Sequence, residues 1–377
     1  MAIINRGNKG NLVGTVVAVD ALAENIQFCA SNEEGSALLT DSVSTSVNAL
    51  DAAFFDRLGE IVKAQMEKNA NMDVQKVSLI LPDRLFLLDT LVVPVIHRKA
   101  MQQSLSLAVE AIYQNAEELN LMTYAVQQNK QAVTFGLVGV RHDILNGARA
   151  ALSTAGAPVS GITFASTAMV NGAMALNAKL RGESFLLMDV KQDCARFAFV
   201  VRGCTMGYYD LPFGHGMMQD KMVVSENTLF DHHAAEAVVK SAKEKTRAKQ
   251  LVVDGVTLVS QASAKGTAAS ERDIKTSKPA PNPKEGYLYE NFRVFLKWAQ
   301  ELIFNNPEIT SLAKIDTVYV NLPDRYRFLL DMANKAMEES DLTFAPLLPE
   351  GTEASIVDNL ELYGGFFTGR YNEANTF

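Results

Sequence analysis

Cysteine is scarce in this chain. Cys29, Cys194 and Cys204 are the three present, and no two stand in a C-x-x-C spacing. A disulfide framework or a zinc ribbon is excluded on that count, and free thiols in apolar, strand-like surroundings are expected, as in a reducing compartment. Long apolar runs are missing too. The longest, such as 86–95, is interrupted by Asp89 and falls short of the roughly 20 residues a bilayer span needs. The first ten residues lack the apolar core of a signal peptide. A cytoplasmic chain is expected, touching a membrane only through partners. Nor is there a basic stripe: 35 Lys and Arg against 43 Asp and Glu leave a net charge of −8, which argues against a nucleic-acid binder.

Several chemical signatures are also absent. There is no GxxxxGK[ST] for a P-loop, no HExxH for zinc and no GxSxG for a nucleophilic serine. Gly214-His-Gly216 continues to Gln219 without a third glycine, so no dinucleotide site is read there. His232 and His233 are adjacent, which on a helix sets them about 100° apart, a poor metal pair. His97 and His142 each open a predicted helix and read as surface or capping residues, and Trp298 reads as core. No catalytic residue and no metal ligand is assigned.

What is there is ample core material. Hydrophobic residues make up 48% of 377, too many residues for one core, so more than one subdomain is expected. Apolar runs predict strands at 12–19, 26–30, 77–81, 86–93, 122–127, 132–140, 159–164, 185–188, 195–201, 205–211 and 317–320. Helical spacing predicts helices from Asp51, with Asp51 as N-cap, and from His97, where Met101, Leu105, Ala108, Val109 and Ile112 share a face. Further helices are predicted at 143–155, 166–180, 232–246, 288–304, 325–339 and 354–367. Residues 246–286, rich in Lys, Ser, Thr and Pro, read as a mobile excursion with short strands at 251–253 and 257–259.

The chain also echoes itself. Val77-Ser-Leu-Ile-Leu-Pro-Asp-Arg84 matches Val318-Tyr-Val-Asn-Leu-Pro-Asp-Arg325, and each half opens on an apolar strand stopping at an aspartate, Asp20 or Asp189. The shared order, strand, hairpin, helix, strand with Leu-Pro-Asp-Arg, points to duplication of one α/β lobe.

With these residues in hand, and with 78–176 running through Leu81-Pro-Asp-Arg84, Val92-Val-Pro94, Arg141-His-Asp143 and Ala155-Gly-Ala-Pro158, the sequence resembles the PilM family. That family comprises actin-like cytoplasmic proteins of type IV pilus assembly, themselves similar to FtsA. The resemblance implies a duplicated actin-like (ribonuclease H-like) α/β fold of two lobes. The first lobe would be 1–82, completed by 350–377, with an inserted α/β subdomain at 83–165; the second would be 166–349.

It further implies a scaffold of a type IV pilus or type II secretion-like inner-membrane platform. Its partner would be the cytoplasmic N-terminal tail of a PilN-like bitopic protein, held between the first lobe and the insertion. Candidate lining residues are Arg84, Leu87, Leu91, Val93 and Phe135, with plain core the alternative for the apolar four. Other platform proteins and self-association are further expected contacts.

ATP-binding members of the family carry Asp-x-Gly in each lobe, because glycine lets backbone N–H groups close around phosphate. Here the loops read Asp20-Ala-Leu-Ala-Glu24 and Asp189-Val-Lys-Gln-Asp193, and a later Gly-Gly has become Asn321-Leu-Pro323. A vestigial nucleotide cleft of Asp20, Asp189, Gly214, Gly216 and Asn321 is therefore expected, with no cofactor and no turnover. Two readings stand beside it: an ATP- and Mg2+-dependent switch, and an FtsA-like filament former. Asp20 and Asp189 can equally be residues that end strands or cap turns, and Gly364-Gly365 can serve close helix packing.

Overall fold

A computed structural model describes the chain except residues 1, 4–11, 13, 21–23, 32–36, 46–49, 70–75, 114, 220–221, 224–249, 254–255, 261–282, 337–340, 353 and 372–375. The chain starts with β1 (Ala2–Ile3), β2 (Thr15–Val19), β3 (Asn25–Ser31) and β4 (Ala37–Ser44), then α1 (Ala52–Lys68) and β5 (Val77–Leu81). Asp51 caps α1 as expected, its carboxylate accepting from the Phe54 N–H. β6 (Phe86–Pro94), α2 (Arg98–Ile112), β7 (Leu119–Gln128) and β8 (Ala132–Arg141) form a separate sheet in the order β6-β8-β7, with α2 on one face. α3 (His142–Thr154) and β9 (Val159–Phe164) follow, then α4 (Ala165–Leu176).

The second half gives β10 (Phe185–Val190), β11 (Ala195–Val201), β12 (Cys204–Leu211), α5 (His215–Gln219), and β13 (Met222–Val223), β14 (Gln250–Val253) and β15 (Val256–Ser260) as a small sheet. It ends with α6 (Pro283–Asn305), α7 (Pro307–Thr310), β16 (Thr317–Asn321), α8 (Phe328–Ala336), β17 (Thr343–Pro346), α9 (Ala354–Asp358) and α10 (Leu360–Gly365). The predicted helix 232–246 with its histidines, and most of the predicted excursion, lie outside the described residues; the two short strands within it are present.

Duplication is written in the sheets. Beyond β1, the first has the order β4-β3-β2-β5-β9 and the second β12-β11-β10-β16-β17. In both, an antiparallel meander is joined to two parallel strands, and Leu-Pro-Asp-Arg leads into one turn of 3-10 helix, with Pro82 at φ −58°, ψ 139° and Pro323 at φ −53°, ψ 140°. The central strands β2 and β10 are buried along their whole length because helices cover both faces of each sheet. α1 and α3 cover the outer face of the first sheet, α6 and α8 that of the second. Between the sheets lie α4 and α10, in a core with Val16, Ile80, Phe185, Leu187 and Tyr363.

The two central helices touch backbone to backbone. A Cβ on Gly364 would stand 1.7 Å from the Ala168 carbonyl oxygen, and one on Gly172 2.6 Å from that of Leu360. Only hydrogen fits in either place. Gly365, likewise, faces Val16 and Ile80. The close packing expected of Gly364-Gly365 is what the fold uses them for.

Three expectations need correction. β9 pairs with β5 and α3 packs on α1, so the separate sheet is shorter than 83–165 and spans 86–141. Ile112 lies on the face of α2 it was grouped with, but at the end of the helix it is 53% exposed rather than covered. Cys194 lies in the β10–β11 turn, half-buried, rather than in a strand.

Candidate functional site

The loops that would hold a nucleotide lie where β2 and β10 end. Asp20 closes its own turn: one carboxylate oxygen accepts from the Glu24 N–H at 2.8 Å, the other from the Asn25 side-chain amide at 2.9 Å. Residues 21–23, including the Leu22 that replaces a glycine, lie outside the described residues. Asp189 is different. It sits inside β10, paired with Arg196 on one side and Asn321 on the other, and is buried. The parallel registers place Thr15 beside Val77 and Leu186 beside Val318, so Asp189 is the counterpart of Ala18 and Lys191 that of Asp20. The two aspartates are not a repeated pair, and Asp189 does not end its strand.

Asn321 donates from its side-chain amide to Asp189 at 2.7 Å and to the Val357 carbonyl at 2.8 Å. The other Asp189 oxygen is buried and has no hydrogen-bond partner among the described residues, and burial, opposed by Lys191 and Asn321, raises this carboxyl above its usual range. Gly214 and Gly216 pack on the 191–194 turn. A Cβ at Gly214 would lie 2.0 Å from the Lys191 carbonyl oxygen, and the N–H groups of His215 and Gly216 donate to the Lys191 and Gln192 carbonyls, both at 2.8 Å. Both amides are thus bonded to the turn they pack on.

Sequence reasoning missed the cations of this region. Arg196, buried on β11, donates to Asp210 at 2.9 Å and to Glu361 at 2.6 Å, and its Nε lies 3.3 Å from Asp83. Lys191 pairs with the same Glu361 at 3.1 Å. Asp83 in turn accepts from the N–H and hydroxyl of Ser166 in the first turn of α4, at 2.8 and 2.9 Å. Burial would push the Lys191 ammonium down, but Glu361 and Asp189 hold it above its ordinary value. Burial would raise Glu361, yet Lys191 and Arg196 draw it down to about 2. Both cations are thus neutralised from within. No motif could have shown this, since Arg196 and Glu361 are 165 residues apart.

Beside the turn, a cavity of about 590 Å3 is lined by Lys191, Gln192, His215, Arg325 and Asp358 among others. The Nδ1 of His215 is buried and has no hydrogen-bond partner among the described residues, and burial and then Arg325 lower the imidazole's pKa. On the second-lobe side of this cleft the His215 and Gly216 amides and the Lys191 ammonium are all bonded within the protein. No cluster of potential metal ligands occurs among the described residues.

The five residues expected to line a partner groove do not gather in one. Arg84 is exposed on the 3-10 turn. Leu87, Leu91, Val93 and Phe135 share the face of the inserted sheet that α2 covers; Leu91 and Val93 are buried there, Leu91 packed with Val109 and Leu137. The face turned to the first lobe carries Phe86, Leu88, Val138 and Val140 instead. Strand alternation explains the mistake: both faces of β6 are apolar, so the sequence does not say which one meets the lobe.

No protein-family model matches the sequence, and no curated protein matches it. Solved structures do. The structure of the PilM-PilN type IV pilus biogenesis complex is similar over 95% of this chain and 98% of its own, at 14% identity and a TM-score of 0.52. The cytoplasmic domain of EpsL, an inner-membrane component of the type II secretion system of Vibrio cholerae, is matched over 58% of this chain and 75% of its own (13% identity, TM-score 0.37). A Bacteroides thetaiotaomicron protein with an actin-like ATPase fold and unknown function is matched over 96% and 98% (9% identity, TM-score 0.39). The fold is actin-like, and identities this low speak to the fold alone. No helix among the described residues is long and apolar enough to cross a membrane.

Proposed function

We propose that this chain is a non-catalytic actin-like scaffold of a pilus- or secretion-type inner-membrane platform, which holds the cytoplasmic tail of a single-span, PilN-like membrane protein. One observation carries the non-catalytic part. Arg196 joins Asp83 of the first lobe to Glu361 of the central helix α10, so buried side chains hold together what a bound nucleotide would otherwise bridge. The platform role rests on similarity, over 95% of the chain, to a structure whose name pairs PilM with PilN. Pull-down with synthetic N-terminal peptides of single-span membrane proteins encoded beside this chain tests it. Capture of one of them is expected, and failure of all would remove the partner from the reading.

The orphaned oxygen of Asp189 favours a second reading, a nucleotide- and Mg2+-dependent switch, because such an atom suits a hydrated cation. Thermal unfolding with and without millimolar ATP and Mg2+ separates the two. The scaffold predicts no shift in Tm, whereas ligand binding to the folded state must raise it.

A further inference from the structure

Large apolar side chains are exposed at six places among the described residues: Val92, Val95, Ile96, Leu107, Ile112 and Phe304. Five of the six belong to β6, α2 and the link between them, and Val92, Val95 and Ile96 fall within one five-residue stretch. A single apolar side chain on a surface needs no explanation, but a cluster marks a contact.

The strand registers say where that cluster lies. β6 starts at the first lobe, with Phe86 paired to Val140, and runs out to Pro94, paired to Ala132. Gln128, the last residue of β7, pairs with Val133 at the same end. The Val95 N–H donates to the Gln131 carbonyl at 2.8 Å, which fastens the chain after β6 to the β7–β8 turn. That turn is closed by the Asn129 side chain, which accepts from the Gln131 and Ala132 N–H groups, both at 2.8 Å, and Lys130 is exposed on it. At about 3.3 Å per residue, β6 carries this tip some ~26 Å out from the lobe.

The tip is also charged with one sign. Neither 90–109 nor 119–141 contains an aspartate or glutamate, in a chain that has 43 of them. Arg98, Lys99 and Lys130 fall at this end of the two stretches, and the Lys99 and Lys130 side chains are exposed. Acidic residues of the insertion stand elsewhere. Glu117 and Glu118 precede Leu119 at the lobe end of β7, Glu110 is in the last turn of α2, and the Asp89 carboxylate accepts from the Tyr113 hydroxyl. An acidic chain has thus set cations beside uncovered apolar side chains at one projecting end. Those are the two attractions that together hold a protein on an anionic bilayer, where either alone is weak.

We infer that the tip of the inserted sheet docks on an anionic lipid surface, with Val92, Val95 and Ile96 entering the headgroup layer and Lys99 and Lys130 lying against lipid phosphates. This goes beyond the proposed function and does not require it, since the contact is to lipid and not to a protein tail.

Flotation of the full chain with vesicles tests the inference, using phosphatidylcholine alone or with about 30% phosphatidylglycerol. Binding to the mixed vesicles alone is expected, and it should weaken as salt is raised. Lys99→Glu with Lys130→Glu should lower binding at least tenfold, and Val95→Ser with Ile96→Ser roughly tenfold. Lys99→Arg with Lys130→Arg should retain it, and Phe304→Ser, on α6, should leave it unchanged; circular dichroism confirms that each variant folds. No binding to the mixed vesicles, equal binding to phosphatidylcholine alone, or indifference to both folded tip variants overturns the inference. Sedimentation velocity without lipid supplies the rival outcome. If the chain self-associates and the tip variants abolish that instead of vesicle binding, a second copy covers the tip and the lipid contact is wrong. Capture of a tail peptide uses no vesicles, so its failure bears on the partner reading alone.

Discussion

Arg196 and Asp83 lie 3.3 Å apart although one belongs to the second sheet and the other follows β5 of the first. Asp83 has a counterpart in Asp324, which accepts from the Gly351 N–H at 3.2 Å much as Asp83 accepts from Ser166. Each aspartate of the Leu-Pro-Asp-Arg repeat ties its strand to the segment after the last strand of its own lobe. Only the first also faces a cation from the other lobe. The interlobe clamp is thus an addition to the duplicated plan.

Arg196→Met should therefore destabilise the protein by about 3–5 kcal/mol, because it leaves Asp83 buried without a cation, while Glu361 keeps Lys191 alone. Urea unfolding measures this. A loss near zero would mean that the clamp does not hold the lobes.

Stability should also depend on acid in two opposite ways. Glu361 titrates near 4.5 ordinarily but near 2 in the folded chain, so its contribution is complete above 4.5 and lost as pH falls toward 2. Asp83, raised by burial against the pull of Arg196 to about 6 from 3.8, takes up its proton more readily when folded. Its contribution therefore declines as pH rises from 3.8 through 6. Denaturation midpoints measured from pH 2 to 7 should show Glu361→Gln flattening the lower limb and Asp83→Asn the upper. Unchanged limbs in both variants would contradict the assignment.

Gly364→Ala should cost more than about 3 kcal/mol or abolish folding, since the new methyl would collide with backbone and no rotamer change can move it away. Soluble expression and thermal melting report the outcome. A variant as stable as the parent would show that α4 and α10 can separate at little cost.

Asn321→Leu should cost about 1–3 kcal/mol by leaving Asp189 and the Val357 carbonyl buried without their donor. Asn321→Asp should be worse near neutral pH, because it sets a second carboxylate against Asp189. Melting curves of the two variants at pH 5 and pH 8 provide the comparison.

Local pattern carried much of the fold into view. The strand 77–81 and its echo at 317–321 are sharply bounded by Leu-Pro, and α1 announces itself through Asp51 and the spacing of Phe54, Phe55, Leu58, Ile61 and Val62. β4 was not read, because Ala37–Ser44 is half polar and lacks the apolar run of its neighbours. The site was far less visible. Arg196 sits in an apolar strand with no local sign of its partners, and Asp189 looks like a strand end until the parallel register shows it one residue short of it. Which face of β6 meets the lobe is likewise decided by packing between distant segments.

The crossing of α4 and α10 has a mechanical meaning. At its closest points, Gly172, Gly364 and Ala168, the contact is main chain against main chain, so no rotamer change there lets one helix ratchet along the other. Pivoting is the freedom that remains. If the lobes change posture when a tail docks, labels on the two helices should report a new angle at constant separation, as blades turn about a rivet.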